Sequence, residues 1–116
     1  MELDTLILHI TSKSAWESAQ QAGGYSAPSL ANEGFIHCST SSQVVAVAER
    51  FYAGQRGLVL LVIDSKRIQA EVKYEAGTDK PDELFPHIYG RINLDAVTRV
   101  VDFEPDPAGR WSLPPL

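Results

Sequence analysis

Three histidines stand in short apolar runs of this sequence, at Leu8-His9-Ile10, Ile36-His37-Cys38 and Pro86-His87-Ile88. An imidazole gives or takes a proton near neutral pH, and its two nitrogens can hold a hydroxyl or an anion in place. A strand histidine is also commonly a half-buried residue with one ring nitrogen satisfied, and that reading applies to each of the three singly. Three of three in such surroundings point instead to a shared cleft. A three-histidine metal site would bring all the rings within about 2.1 Å of one ion, and no local ligand spacing supports one.

A second group lies at His37-Cys38-Ser39-Thr40, where a strand runs into a helix. A helix start offers unpaired N–H groups and a partial positive charge, a seat for phosphate or carboxylate near the amides of residues 40 to 43. The hydroxyls of Ser39, Thr40, Ser41 and Ser42 add donors there. Equally, Thr40 can do no more than cap the helix. Cys38 would need a base beside its thiolate to act as a nucleophile. Its neighbour His37 points to the other face of a strand, and a small buried core cysteine is the simpler reading.

Glu71, Lys73 and Glu75 line one side of a strand and read first as a solvated face. Glu75, next to the Gly77 loop, is the member to place at a pocket rim. Arg91 after Gly90 could grip an anion, although a lone arginine has little specificity. The glycines are too scattered for a phosphate-cradling loop. Trp16 and Trp111 are most simply packing residues.

These residues must be positioned by one domain spanning residues 1–116. The chain is 44% hydrophobic and 22% charged, a globular mixture. Fifteen acidic against ten basic residues give a net charge of −5. That sign disfavours long nucleic acid or an anionic membrane as the main partner and leaves a small anionic ligand or nucleotide. It does not indicate the oligomeric state. A single cysteine excludes an internal disulfide. The acidic start Met1-Glu2-Leu3-Asp4 has no apolar run behind it, and a cytoplasmic location is expected.

Leu6 to Ile10 reads as a strand, with Leu6, Leu8 and Ile10 on one face and Ile7, His9 and Thr11 on the other. A helix is predicted at about residues 14 to 22, with Ser14 and Glu17 at capping-box spacing and Gly23-Gly24 as the stop. Residues 25 to 34 read as loop. Phe35 to Cys38 reads as a strand leading to a second helix, opened by Thr40 and Gln43 and carrying Val44, Val47, Ala48 and Phe51 on one stripe. Leu58 to Ile63, six apolar residues in a row, predicts a central strand covered on both faces. Val72 and Tyr74 alternate with charges in a half-exposed strand. Phe85 to Tyr89 predicts a short strand that Pro86 confines to an edge or a strand start. A helical turn at Leu94 to Val97, a last strand from Val97 to Phe103 and a proline-rich tail complete an α+β domain with a mixed, mostly antiparallel sheet and two main helices.

Several strings resemble one family of small bacterial proteins, the domain of unknown function 952 family. They are His9-Ile10-Thr11, Gly34-Phe35-Ile36-His37-Cys38-Ser39, Lys73-Tyr74-Glu75, and Phe85-Pro86-His87-Ile88-Tyr89-Gly90 ahead of Leu94-Asp95-Ala96-Val97. A more distant resemblance is to the ADP-ribosyltransferase-like superfamily, including the RNA 2'-phosphotransferases. It implies that fold, and a cleft for a nucleotide or NAD. In a cleft of that kind His9, His37, Glu75 and His87 are the expected catalytic residues and Thr11 and Ser39 the expected binding residues, and the helix start adds Thr40 as a further expected binding residue. His9 and Thr11 would position the ribose, Ser39 would pack beside the nicotinamide, and Glu75 would stabilise the positive charge that develops as the glycosidic bond breaks. The alternative is a non-catalytic module that binds a small anion or other ligand.

Overall fold

A strand of six apolar residues has no polar face to give to solvent, so Leu58 to Ile63 demands cover on both sides and a partner on each edge. The computed structural model describes residues 6–116, and the acidic start Met1–Asp4 lies outside them. The chain order is β1 (Leu6–Ser12), α1 (Lys13–Ala22), β2 (Gly24–Tyr25), α2 (Pro28–Glu33), β3 (Ile36–His37), α3 (Val44–Phe51), β4 (Leu58–Asp64), β5 (Glu71–Ala76), β6 (Leu84–Tyr89), β7 (Ile92–Asn93), a 3-10 turn (Leu94–Ala96) and β8 (Val97–Asp102). β4 is central in a sheet of order β1-β4-β8, antiparallel to both neighbours. Its residues from Leu58 to Ile63 are all buried.

The alternation expected in β1 sorts the core into two halves. Leu6, Leu8 and Ile10 pack with Leu58, Leu60 and Val62 of β4, against Val44 and Ala48 of α3 and the Phe103–Trp111 pair. Ile7 packs with Val59, Leu61 and Ile63 on the other face, against Ala19 of α1, Ile36 of β3 and Ile88 of β6. His9 and Thr11 share this second face, opposite Leu61 and Val59. Two polar residues are thereby carried into an apolar layer.

The expected single mixed sheet is instead three antiparallel ones: β1-β4-β8, β3-β6-β5, and the short pair β2-β7. The two larger sheets meet at a single bridge, where Leu8 and Ser39 exchange both backbone hydrogen bonds at 2.8 Å. The chain turns into α3 just beyond Ser39, so this ladder cannot extend.

Residues 25–34 are not all loop. Pro28, its φ preset for a first helical turn, starts α2, and Gly34 at φ 90° ends it. α1 is capped two residues earlier than Ser14, because Ser12 Oγ accepts the Ala15 N–H at 3.0 Å. α3 begins at Val44 rather than directly after Thr40. The Thr40 carbonyl accepts the N–H groups of Gln43 and Val44, while Gln43 Oε1 accepts the Thr40 N–H at 3.0 Å. The Thr40 hydroxyl turns to Ser42 instead of capping the helix.

Pro86 lies inside the middle strand of its sheet, not at an edge or a strand start. Its carbonyl accepts the Cys38 N–H at 3.1 Å, so its backbone faces the β3 side. β3 is only two residues long, so the missing proline N–H forfeits a bond only past its end, opposite Cys38. Among the described residues, no helix is long and apolar enough to cross a membrane.

Candidate functional site

A cleft of about 650 Å³ opens along the line where the two larger sheets meet. Its floor and walls come from β1, the end of β3 with Cys38 and Ser39, the last turn of α3, and the start of β6. His9, Thr11, His37, Ser39 and His87 all line it. The structure therefore brings five of the seven expected site residues together. Glu75 is attached to the group through His87, while Thr40 lies outside the lining and has its N–H committed to Gln43.

His9 is the most deeply set of the three imidazoles. Its Nδ1 lies 2.6 Å from the His37 carbonyl and its Nε2 2.8 Å from the Tyr25 hydroxyl, which is 3.0 Å from Thr11 Oγ1. Burial pushes the His9 imidazole down to about 4, partly opposed by the His37 carbonyl, so the ring is neutral at pH 7. A carbonyl can only accept, and Nδ1 therefore carries the ring proton. Burial also raises the Tyr25 phenol above its ordinary value. The result is a neutral, fully bonded wall of hydroxyl and imidazole groups.

His87 differs. It is 3% exposed, and its Nδ1 lies 2.9 Å from Glu75 Oε1, which also accepts the Tyr89 hydroxyl. Register explains the arrangement, because Glu75 pairs with Phe85, and His87 and Tyr89 follow at alternate positions on the same face of β6. The charged side of β5, which reads as solvated from the sequence, is the side that carries the imidazole. The Tyr89 and His87 bonds hold the Glu75 carboxyl below its usual range, and the Glu75 bond holds the Tyr89 phenol above its own. With Nδ1 given to a carboxylate, Nε2 of His87 is the nitrogen left to meet a ligand.

His37 sits directly opposite His87 in the β3–β6 ladder, with ring centroids 5.4 Å apart. Its Nε2 lies 3.0 Å from Glu33 Oε2 at the end of α2. Phe35 holds both rings, stacked on His87 at 4.1 Å and edge-on to His37 at 4.9 Å. Cys38 is buried in the core behind the cleft surface, and burial raises its thiol far above the ordinary value. Thiolate chemistry has no support there. Among the described residues, no three His, Cys, Asp or Glu side chains group as a metal ion requires.

Sequence reasoning missed Tyr25, Tyr89, Phe35 and Glu33. Tyr89 was within reach, since it lies two residues from His87 and so on the same strand face. Tyr25 carries no such signal, because it reaches His9 and Thr11 only through the tertiary packing of β2.

Comparison with known proteins bears on the family and the fold. The model of the family described as "Protein of unknown function (DUF952)" matches residues 10–100. The X-ray crystal structure of protein CC0527 from Caulobacter crescentus is similar at 35% identity, with a TM-score of 0.81, over 94% of this chain and 95% of that one. The solution NMR structure of CC0527 is similar at 32% identity, with a TM-score of 0.78, over 90% of each chain. None of the curated proteins compared matches this chain.

Proposed function

Since the chain belongs to the DUF952 family of proteins of unknown function, its chemistry has to be read from the cleft, and we propose an ADP-ribosyl- or phospho-transferase-like enzyme that takes a nucleotide or NAD-type ligand there. The observation that carries this reading is the convergence of three imidazoles on one cleft, with His87 held by a Glu75–Tyr89 pair. Polar groups in a buried layer are costly unless satisfied or used. His9 is satisfied, whereas Nε2 of His87 and the hydroxyl of Ser39 face the cleft without a protein partner among the described residues.

The residues fit a nucleotide in kind. The cleft volume lies within the roughly 300–1,000 Å³ that small-ligand sites occupy. Tyr25, Tyr52, Phe51 and Phe85 present aromatic surface, and Thr11 and Ser39 present hydroxyls suited to a ribose. Bound NAD would supply a glycosidic bond as the electrophilic centre. Within this chain, His87 takes up or returns a proton at Nε2. Glu75 is a positioning residue that fixes the His87 tautomer and balances its charge, rather than a carboxylate on the ligand itself. Thr11 and Ser39 offer hydroxyls to the sugar edge, while His9, with both ring nitrogens bonded within the protein, fixes Tyr25 behind them.

Calorimetry with NAD and ADP-ribose, joined to an assay for nicotinamide release, tests the reading. Wild type should give saturable heat, and His87→Ala should keep binding while losing release. No heat from either ligand at millimolar concentration overturns the reading. Binding without turnover by wild type would leave the cleft as a ligand-binding module.

A further inference from the structure

The mouth of the cleft holds a feature that the histidine cluster does not use. Among the described residues, Arg50 in the last turn of α3 is the only lysine or arginine lining the cleft. Its guanidinium carbon stands 5.6 Å from the ring centroid of Phe51, which is 55% exposed although it is a large aromatic. Arg50 Nε makes an ion pair of 2.9 Å with Asp79, which lies in the β5–β6 connection and also lines the cleft. That ion pair is the one side-chain partner of Arg50 besides the Phe51 ring among the described residues, and its guanidinium N–H groups make no hydrogen bond there.

The geometry points to Arg50 as the anion-binding residue of the cleft, attenuated by Asp79, for a small ligand that carries a phosphate or carboxylate beside an aromatic ring. This deepens the reading of the cleft as a nucleotide-type site and rests on it. The chain carries −5 overall, so an anionic ligand needs a local cation to enter. Residues 40 to 43 do not line the cleft, and the N–H groups of Thr40, Gln43 and Val44 are bonded within the turn, so the nearest full positive charge at the cleft is a side chain. Arg50 supplies it, since it lines the cleft with no hydrogen bond to its guanidinium among the described residues and has an exposed ring beside it on which a base can lie.

Asp79 sets the strength. The Arg50 and Asp79 side chains are 30% and 42% exposed, so the pair adds little to stability and is free to respond to a ligand. The connection that bears Asp79 is tied to α3 a second time, where Gln43 Nε2 donates to Glu83 at 2.9 Å and to the Leu84 carbonyl at 2.8 Å. Asp79 stands beside Arg50, where its charge repels the incoming anion. Asp79→Asn keeps the size and shape of the side chain and removes only the charge.

Calorimetry with ADP-ribose, using adenosine as the uncharged probe, separates the outcomes. Arg50→Gln should weaken ADP-ribose by about tenfold or more and leave adenosine unchanged. Asp79→Asn should tighten ADP-ribose by about fivefold, with the gain shrinking as salt is raised. Equal ADP-ribose affinity in wild type and Arg50→Gln overturns the assignment while leaving the cleft reading intact. Parallel loss of ADP-ribose and adenosine in Arg50→Gln also overturns it, because that marks a structural effect. Unchanged or weaker ADP-ribose binding by Asp79→Asn removes Asp79 from the account. No ADP-ribose binding by wild type or Asp79→Asn overturns both the assignment and the cleft reading.

Discussion

Acidification should destabilise this domain through one buried ring, His9, well before most carboxylates protonate. In the folded protein the His9 imidazole titrates at about 4, against 6.5 for the ordinary group, because burial disfavours its charge. Between those values the unfolded chain binds the proton that the folded chain refuses, so stability is complete above 6.5 and falls as pH drops toward 4. The full difference corresponds to about 3 kcal/mol at 1.36 kcal/mol per pKa unit. Carried from about pH 7 to about pH 5, the same linkage removes about 2 kcal/mol, a sizeable part of the roughly 5–15 kcal/mol typical of a domain. Urea titrations at the two pH values read this directly, as a midpoint lowered by about 1 M at constant slope. His9→Gln is the internal control, since an amide can still donate to the His37 carbonyl and meet the Tyr25 hydroxyl without titrating. Groups common to both proteins, Glu75 among them, cancel in the difference between the two pH effects. If wild type and His9→Gln lose the same stability between pH 7 and pH 5, the buried-imidazole argument fails.

The other predictions concern the same architecture. Tyr89→Phe removes the larger of the two hydrogen bonds that lower the Glu75 carboxyl, so its titration should move upward; carbon-detected NMR of the Glu75 side chain checks this, and an unmoved curve refutes the coupling. The Cys38 thiol should be inert to a thiol reagent in the native state at mild alkaline pH and react only as the domain unfolds; fast stoichiometric labelling without denaturant would contradict its burial. Leu61→Ala, cross-strand from His9 in the centre of β4, should destabilise by about 2–5 kcal/mol in urea unfolding, and a loss under about 1 kcal/mol would show that β4 is not the packed spine described.

Physics that acts along a short stretch of chain was legible in the residues themselves. The unbroken apolar run of Leu58 to Ile63 admits little but a covered central strand, and the two-residue period of β1 sets His9 and Thr11 on the face opposite Leu8 and Ile10 whatever surrounds them. The candidate histidines and Ser39 were recognisable by type and by the strands that carry them. What each residue does depended on neighbours distant in sequence. Glu75 reads as part of a solvated face until β5 pairs with β6 and sets it diagonal to His87, and Tyr25 reads as loop until β2 brings its hydroxyl to His9 and Thr11. Thr40 is the opposite case. Its local signal for a helix cap is strong, yet Gln43 and Ser42 satisfy its polar groups and leave it outside the cleft. Periodicity and residue type are set by the order of the chain alone. Strand register, the splitting of one expected sheet into three, and the pairing of Arg50 with Asp79 are set by which distant surfaces bury one another, and that is decided only when the whole domain packs.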